Sequence, residues 1–456
     1  MAVTCLALPS AGSIRASEVR TIRARAGSVH LRGAEQAPTA VWGYDGVVPG
    51  PVLRVKRGEE IMVRLANDLP EPTSVHWHGL RLPNAMDGVP HLTQAPIEPG
   101  QSFDYRFKAT DAGTYWYHSH VYSSEQIERG LYGALIVDEA ERIDVDQDLV
   151  LVIDDWRLLP DGALDTASFR SAHDAAHAGR IGRHLTVNST PSLDIPVRAN
   201  ERLRLRVINA ANARLVTLRL EGHAAWVMAI DGQPAEPFLA RDSQVTLGPG
   251  NRIDLFADAA LAPGAQAPIL VENSGAEVPL VNLRYASGAP ARPAPRAQAK
   301  PLPSNGLPGR MAFKEAFRLD VPIEGGAMSE LMMRGRTQEI PGHGLDPRAR
   351  FWTMAGAASS GHHGPPLFSV KRGRVVMLGF VNHTAFPHGM HVHGHHFRLL
   401  DKNDDGWKPF WLDSVVVAPR ETARIAFVAD NPGKWMLHCH MLEHQETGMA
   451  AWFEVA

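Results

Sequence analysis

Short apolar or alternating runs separated by Gly, Pro, Asn and Asp recur along the whole chain. Clear examples are residues 61–65, 203–208, 375–380 and 423–428. Runs of this length between turn residues are typical of β-strands, and many of them in succession predict packed β-sandwiches. The pattern therefore predicts an all-β protein.

A loose repeat divides these strands into three modules. Asn67, Asn209 and Asn382 each stand at the end of an apolar strand, and each strand follows a short polar turn. The copies lie roughly 140 to 170 residues apart, a spacing that indicates related structural units. We expect a first domain over residues 1–140, a second over 141–287, a Pro/Ala/Arg-rich linker over 288–312 and a third domain over 313–456.

The composition is that of a soluble globular protein. The 456 residues are 44% hydrophobic and 21% charged, with a formal net charge of −3. Such a charge gives no reason to expect nucleic acid or an anionic membrane as a partner, and no apolar run approaches the ~18 residues of a spanning helix. The only cysteines are Cys5 and Cys439, which excludes a disulfide framework. Residues 1–12 show no export leader, so the residues themselves leave the compartment open.

The run His438-Cys439-His440 carries the strongest chemical signal. Neighbouring side chains of a strand point to opposite faces, so Cys439 faces one way and the two histidines face the other. One strand can then ligate two metal centres. A Cys with two His and a weak axial Met is the ligand set of a blue-copper electron-transfer site. Cys439, His444 and Met449 supply three of those four ligands.

Three further histidine clusters complete the pattern. In each His-x-His pair on a strand the two imidazoles share one face, ~7 Å apart at the backbone, and can reach the same metal or two adjacent metals. Together with the last cluster, the set of ten histidines, one cysteine and one methionine suits four copper ions. The further clusters are His76-Trp77-His78, His118-Ser119-His120 and His388-Gly389-Met390-His391-Val392-His393.

These four motifs, in this order, resemble the multicopper oxidase family, in its laccase-like three-domain bacterial form. The resemblance covers nearly the whole chain. It implies three cupredoxin-like Greek-key β-sandwich domains and four copper ions, and an exported or periplasmic location. By motif position, the type 1 copper is assigned to His388, Cys439, His444 and Met449. The type 2 copper is assigned to His76 and His391, and the type 3 pair to His78, His118, His120, His393, His438 and His440.

The resemblance also implies the reaction. A small reducing substrate gives up one electron at the type 1 copper, and the electron passes through Cys439 to a trinuclear cluster ~10–15 Å away. Four such transfers reduce one dioxygen to two waters. The favoured donor is a phenol or aromatic amine, as in laccases. A cuprous or other metal-ion donor is the alternative, because Met328, Met332 and Met333 form a weak methionine-rich segment. A non-catalytic structural member of the fold, or a two-domain nitrite reductase, fits the retained ligands and three modules less well.

Oxygen reduction consumes protons, so acids near the cluster matter. Asp87 matches the acidic residue that the family places near the trinuclear site, although a turn-former before Gly88 is the alternative interpretation. The family often has a carboxylate directly after the last type 1 histidine, and here that position is Gln445. Proton delivery through Glu443 or Asp87 is then expected. The predicted catalytic residues are Asp87, Cys439 and Glu443.

The second domain contains no copper motif. Its histidines, His173, His177, His184 and His223, have no partner at a ligand spacing that matches the family. We therefore expect this domain to act as a spacer, and the trinuclear site to lie between the first and third domains. Residues 163–178 have a composition compatible with a short helix.

Overall fold

The computed structural model describes residues 19–327, 339–340, 344–345, 350–360, 364–400 and 407–456. Almost half of these residues lie in strands, and all but two short strands form three pairs of sheets that follow one another along the chain. The prediction of an all-β fold is confirmed. We call the three successive sheet pairs domain one, domain two and domain three.

Domain one consists of the strands up to residue 138. They are β1 (Arg20–Val29), β2 (Thr39–Tyr44), β3 (Gly50–Lys56), β4 (Glu60–Asn67), β5 (His76–His78), β6 (Ser102–Lys108), β7 (Gly113–His118) and β8 (Tyr132–Asp138). One sheet has the order β2-β1-β4-β6 and the other β3-β8-β7-β5. Strand β4 shows why the segment folds this way: Ile61, Val63 and Leu65 alternate into the core while Arg64 faces solvent.

Domain two has a sheet of order β10-β9-β12-β17-β14-β15 packed on one of order β11-β19-β18-β13-β16. Its strands are β9 (Gln147–Trp156), β10 (His184–Val187), β11 (Leu193–Val197), β12 (Arg202–Asn209), β13 (Val216–Leu220), β14 (Trp226–Ile230), β15 (Gln233–Leu239), β16 (Gln244–Leu247), β17 (Arg252–Asp258), β18 (Gln266–Asn273) and β19 (Ala276–Tyr285).

Domain three has one sheet of order β23-β20-β26-β31-β28-β29 and one of order β24-β33-β32-β27-β30, with β25 also paired to β33. Two short strands, β21 and β22, pair separately. The strands are β20 (Phe317–Gly325), β21 (Glu339–Ile340), β22 (Gly344–Leu345), β23 (Trp352–Met354), β24 (Ser359–Ser360), β25 (Ser369–Val370), β26 (Arg374–Asn382), β27 (His388–Val392), β28 (Phe397–Leu400), β29 (Trp407–Leu412), β30 (Ser414–Val417), β31 (Thr422–Ala429), β32 (Gly433–Cys439) and β33 (Met449–Val455).

Helices are few and short in the described residues. They are α1 (Ser123–Glu128), α2 (Ala172–Ala176) and α3 (Leu442–Glu446). The predicted helix over residues 163–178 is therefore reduced to a single turn of 3-10 helix, Thr166–Ser168, followed by α2. Across the described part of the chain, no helix has the length and apolar character needed to cross a membrane.

The repeated asparagines make the same hydrogen bonds in all three domains. In each case the side-chain oxygen accepts from the backbone N–H two residues later, and the side-chain amide donates to carbonyl groups that close the following loop. An Asn side chain that satisfies a loop in this way replaces a backbone turn. The shared geometry explains why the sequence repeat is visible at Asn67, Asn209 and Asn382.

Domains one and three share one continuous apolar core. It includes Trp77 and Tyr117 from domain one together with Trp352, Phe427 and Trp435 from domain three. Domain two has a core of its own and a smaller apolar contact with domain one. The first and third domains are therefore in direct contact, which brings β5 and β7 close to β27 and β32.

The segment 288–312 has no helix or strand, but it is held against the domains. Arg292 and Arg296 pair with Asp146 of domain two. Asn305 donates to the carbonyl group of Ala112 in domain one and to the side chain of Gln233 in domain two. The segment therefore connects domains two and three and also binds to domains one and two. We call it the strap.

Candidate metal centre

The first group of candidate ligands lies inside domain three. Cys439 ends β32, His388 begins β27 and His444 lies in α3. The Cys439 Sγ atom lies 3.9 Å from His388 Nδ1 and 3.8 Å from His444 Nδ1. The two Nδ1 atoms are 3.1 Å apart. Three donor atoms this close, two of them imidazole nitrogens and one sulfur, fit a single copper ion.

The remaining nitrogens of these two rings are held by hydrogen bonds that direct Nδ1 towards the sulfur. His388 Nε2 lies 2.8 Å from the hydroxyl oxygen of Thr384, and His444 Nε2 donates to the carbonyl oxygen of His177 at 2.8 Å. Such outer bonds fix the ring orientation of a metal ligand. Burial lowers the pKa of His444 to about 4, so its imidazole is neutral and able to ligate.

The thiol of Cys439 is completely buried, and burial raises its pKa to about 12. A thiolate therefore forms here when a cation replaces the proton. Met449, predicted as the axial ligand, is buried at the start of β33, the strand next to β32. Its axial role stays a prediction.

The second group comprises eight imidazoles at the boundary between domains one and three. Strand pairing brings them together: His76 lies opposite His118 in the β5–β7 pair, and His391 lies opposite His438 in the β27–β32 pair. All eight are buried. The residues are His76, His78, His118, His120, His391, His393, His438 and His440.

Many of the inward nitrogens in this group have no hydrogen-bond partner. Nε2 of His76, His120 and His391 is buried without one in the described structure, as are both nitrogens of His440. Nε2 of His393 and Nε2 of His438 face each other at 3.0 Å. Buried polar atoms left unpaired are costly, so this many together indicates positions meant for cations. The donor set fits the three copper ions that the motifs predict.

In four of these rings the outward nitrogen is bonded to a carbonyl oxygen. His76 Nδ1 lies 2.8 Å from the carbonyl oxygen of Asp87, and His391 Nδ1 lies 2.9 Å from that of Asp413. Burial, the largest cause, lowers the pKa of His118 and His438 well below the usual range, and neighbouring imidazoles add to the shift. The rings are therefore neutral ligands.

Asp87 lies at this cluster, as predicted from its motif. Its carboxylate oxygens are 2.9 Å from His393 Nδ1 and 3.3 Å from His76 Nδ1, so it contacts one ring from each of two domains. The side chain is buried. The geometry supports a role in orienting ligands, and its role as a proton source stays a prediction.

Glu443 lies in α3, next to His444, and contacts domain two. Its carboxylate accepts from the backbone N–H of Arg180 at 3.1 Å and from Asn212 at 3.0 Å. Burial raises the pKa of Glu443 to about 7. Gln445 is buried, with its amide 3.3 Å from the hydroxyl of Ser123.

Glu446 lies in the same short helix as His444. Because residues 442–446 form helix α3, Glu446 turns towards α1, where it accepts from the backbone N–H and hydroxyl of Ser124. Its carboxylate is therefore already engaged.

Three further residues at the imidazole cluster were not identified from the sequence. They are Asp413 of domain three and Asp231 and Arg252 of domain two. Asp413 sits 3.3 Å from His78 Nε2 and is held by both terminal nitrogens of Arg252, at 2.9 and 2.6 Å. Asp231 accepts from the backbone N–H groups of Arg252, Asp413 and Ser414. Burial alone would raise the pKa of Asp413, but Arg252 and His78 outweigh it and hold that pKa well below its usual range.

The backbone of domain two also touches the imidazole cluster. A Cβ atom on Gly250 would lie 3.0 Å from ring atoms of both His78 and His440. Domain two therefore buttresses the site, which goes beyond the predicted spacer role. The only sequence signal was indirect: Asp231-Gly232 reads as a hairpin turn, and nothing in it points to a distant metal site.

Some residues singled out in the sequence lie outside the described residues. These are Cys5, Met328, Met332 and Met333.

Comparison with known proteins gives one consistent family. Multicopper oxidase family models match residues 26–142, 147–266 and 343–456. The multicopper oxidase MmcO of Mycobacterium tuberculosis is 30% identical over 438 residues, covering 89% of this chain and 81% of that protein. Laccase-1 of Botryotinia fuckeliana is 27% identical, covering 90% of this chain and 77% of that protein.

A solved structure shows the same arrangement of domains. The multi-copper oxidase from Pseudomonas thermotolerans is 33% identical, covers 96% of this chain and 99% of its own, and superposes with a TM-score of 0.83. The expectation of three cupredoxin-like domains with four copper ions agrees with these comparisons.

Proposed function

The chain belongs to the multicopper oxidase family, copper-dependent oxidoreductases that use dioxygen, and on that premise we propose that it couples four one-electron oxidations of a small donor to reduction of dioxygen to water. The proposed donor is of laccase type, a phenol or an aromatic amine. The bound copper ions supply one-electron acceptance on one side and oxygen reduction on the other.

One observation carries this proposal: a single strand serves both metal groups. In β32, Cys439 faces His388 and His444, while His438 and the following His440 face the eight-imidazole cluster. The two groups are thus joined by the covalent bonds of adjacent residues, the shortest link that a polypeptide offers. An arrangement of this kind suits transfer of single electrons to a site that collects several.

The proposed ligand roles are assigned by motif position. We assign the type 1 site to His388, Cys439 and His444, with Met449 as axial ligand. We assign the type 2 site to His76 and His391, and the type 3 pair to His78, His118 and His440 on one side and His120, His393 and His438 on the other. We also retain the domain limits 1–140, 141–287 and 313–456 as a proposal.

The protein supplies hydrogen bonds and a dry environment to this site. Asp87 bridges rings from domains one and three, and Asp413 with Arg252 fixes a second pair of rings. Fixed partners of this kind position metal ligands and raise their basicity. The proposed contribution of Asp87 to catalysis is twofold. It holds these rings in position, and its carboxyl group delivers protons to the cluster.

The ratio of donor oxidised to dioxygen consumed tests the proposal. With copper-loaded protein and excess hydroquinone, we expect four electrons to be removed per dioxygen and no hydrogen peroxide to accumulate. Peroxide formation at two electrons per dioxygen, or no oxygen uptake with any donor, would contradict the proposed reaction. Chelator-treated protein is the control.

A second candidate donor, a metal ion, is favoured by a specific observation. His444 is completely buried, because the domain-two segment around His177 covers its outer nitrogen. The nearby cleft is lined largely by polar groups, including Ser124, Arg170 and Glu443. Pockets for aromatic molecules are mostly apolar. A metal ion whose electron passes through the segment around His177 is therefore the second candidate donor.

A further inference from the structure

Two histidines of domain two, His173 and His177, lie against each other beside the predicted type 1 site. His173 lies in α2 and His177 follows it four residues later. Their rings stack at 4.1 Å between centroids, with 14° between the planes. Residues four apart on a helical turn share one face, and two histidines at this spacing can chelate one metal ion. The exposed His173 ring has to turn out of the stack for this, because the nitrogen lone pairs of stacked rings lie in parallel planes.

One nitrogen in each ring of this pair is available to a ligand. His177 Nδ1 lies 2.7 Å from the carbonyl oxygen of His173, which leaves its Nε2 free of a hydrogen bond within the described residues. His173 Nδ1 lies 3.8 Å from Oδ1 of Asp174, and the His173 side chain is 77% exposed. Both rings can therefore be reached from solvent, while the ring of His177 also contacts Phe386 beside the type 1 site at 5.7 Å between centroids.

The pair is connected to the type 1 ligand by one hydrogen bond. The carbonyl oxygen of His177 accepts from Nε2 of His444 at 2.8 Å, and His444 Nδ1 is the nitrogen that faces Cys439. An electron entering at the His177 ring would cross only the covalent bonds of that residue and this hydrogen bond. The segment is held in position, because Trp352 donates to the carbonyl oxygen of Ala175 at 2.6 Å.

We propose that His173 and His177 form a surface site for a cuprous ion, and that this site is where the donor electron enters. The inference rests on the proposed function and specifies its metal-ion form. Each bound Cu(I) loses one electron and leaves as Cu(II), and the electron passes by way of His177 and His444. Four such events, with four protons from solvent, convert one dioxygen to two waters.

The surroundings favour a cuprous ion over a harder cation. Asp174, the carboxylate beside His173, is occupied by both terminal nitrogens of Arg157, at 2.6 and 2.9 Å. The site therefore offers imidazoles and no free carboxylate from this residue. Imidazole suits copper, whereas Mn(II), Mg(II) and Ca(II) are better held where carboxylates contribute.

Binding is tested on the copper-loaded protein with Ag(I), a redox-inert probe for Cu(I). Isothermal titration should show one Ag(I) site that His173→Ala weakens at least ten-fold. His173→Met should retain that site, because a thioether is a soft ligand. His30→Ala, an exposed histidine of domain one, is the matched control and should leave Ag(I) binding unchanged. Equal Ag(I) binding by the wild type and His173→Ala would overturn the proposal.

Turnover provides the second readout. For each variant, oxygen uptake with chelator-buffered Cu(I) is divided by uptake with ferrocyanide, which needs no imidazole ligand. We expect this ratio to fall at least ten-fold in His173→Ala and to recover in His173→Met. An unchanged ratio, or a loss confined to Fe(II) oxidation, overturns the cuprous site while leaving the oxidase intact. Absence of uptake with every donor in the wild type instead contradicts the proposed function.

Discussion

Asp413 shows how one side chain can control several ligands. It touches His78, approaches His391 and is neutralised by Arg252. The Asp413→Asn side chain keeps its shape but loses the negative charge. That charge attracts the His78 and His391 rings and the Arg252 guanidinium. Because partners of metal-bound histidines contribute about 10–100-fold to metal affinity, we expect copper binding at the eight-imidazole cluster to weaken by that factor.

Copper content after dialysis against graded chelator measures this effect. Asp104→Asn is the matched control, since Asp104 forms an exposed ion pair with Arg64. Equal copper retention in the two variants would show that Asp413 does not support the ligands.

Gln445 is the position at which this chain departs from the usual family pattern. Its side-chain oxygen is buried without a hydrogen-bond partner in the described structure. Gln445→Glu adds an acid of the same size, so we expect reoxidation of the reduced protein by dioxygen to accelerate several-fold, less than the ~100-fold of a fully positioned acid. Stopped-flow reoxidation across pH measures it, with the exposed Gln101→Glu as control. An unchanged rate and pH profile would count against proton limitation.

At the level of residues, the grouping of the candidate ligands was predictable because its signal is local. His-x-His and His-Cys-His depend only on the alternation of a strand, and Asp87 lies in a recognisable motif. The sequence did not predict the roles of Asp413, Arg252 and Asp231. Each of them makes contacts with residues more than 150 positions away along the chain.

The turn at Gly250 is the element through which domain two presses on the imidazole cluster. Gly250 has a φ of +80° and a substituent would meet His78 and His440. We expect Gly250→Ala to displace these rings, so that oxygen reduction falls strongly while the blue colour of the Cys439 site persists. Oxygen uptake and the visible spectrum, measured on the same sample, separate the two effects.

Gly275 provides the matched control for backbone strain. Its φ is +84°, but a Cβ there has no atom within 4 Å. Gly275→Ala should cost about 1 kcal/mol of stability, as expected for a left-handed alanine, and leave oxygen uptake unchanged. Similar losses of activity in both variants would assign the effect to strain and not to contact.

Element prediction succeeded where one face of a strand is buried and failed where tertiary contacts decide. The run 61–65 lies within β4, as its alternation predicts. The stretch 163–178, whose composition is compatible with a short helix, contains α2 and a turn of 3-10 helix, and the composition alone did not fix their bounds. The strap 288–312 was predicted as a linker because its composition says nothing about Asn305 or Arg292.

The whole molecule closes around its metal site. Imidazoles from domains one and three face each other across a shared core, and their inward nitrogens are unpaired without metal. Removal of copper should therefore lower the unfolding temperature. A ligand present at 1,000 times its Kd and binding only the folded state contributes about 4 kcal/mol.

Differential scanning calorimetry of the copper-loaded and chelator-treated protein measures that difference. Added copper should restore the unfolding temperature, whereas added magnesium should not, because imidazole is a poor ligand for it. Identical unfolding of the loaded and stripped protein would show that the interface is stable without metal.

The most direct test of the account is Cys439→Ser in the copper-loaded protein. If Cys439 joins the two metal groups, the variant should keep the copper of the eight-imidazole cluster, lose the intense blue absorption and lose oxygen uptake with every donor. Full oxygen uptake by this variant, or a wild-type protein that is colourless when loaded with copper, would contradict the account.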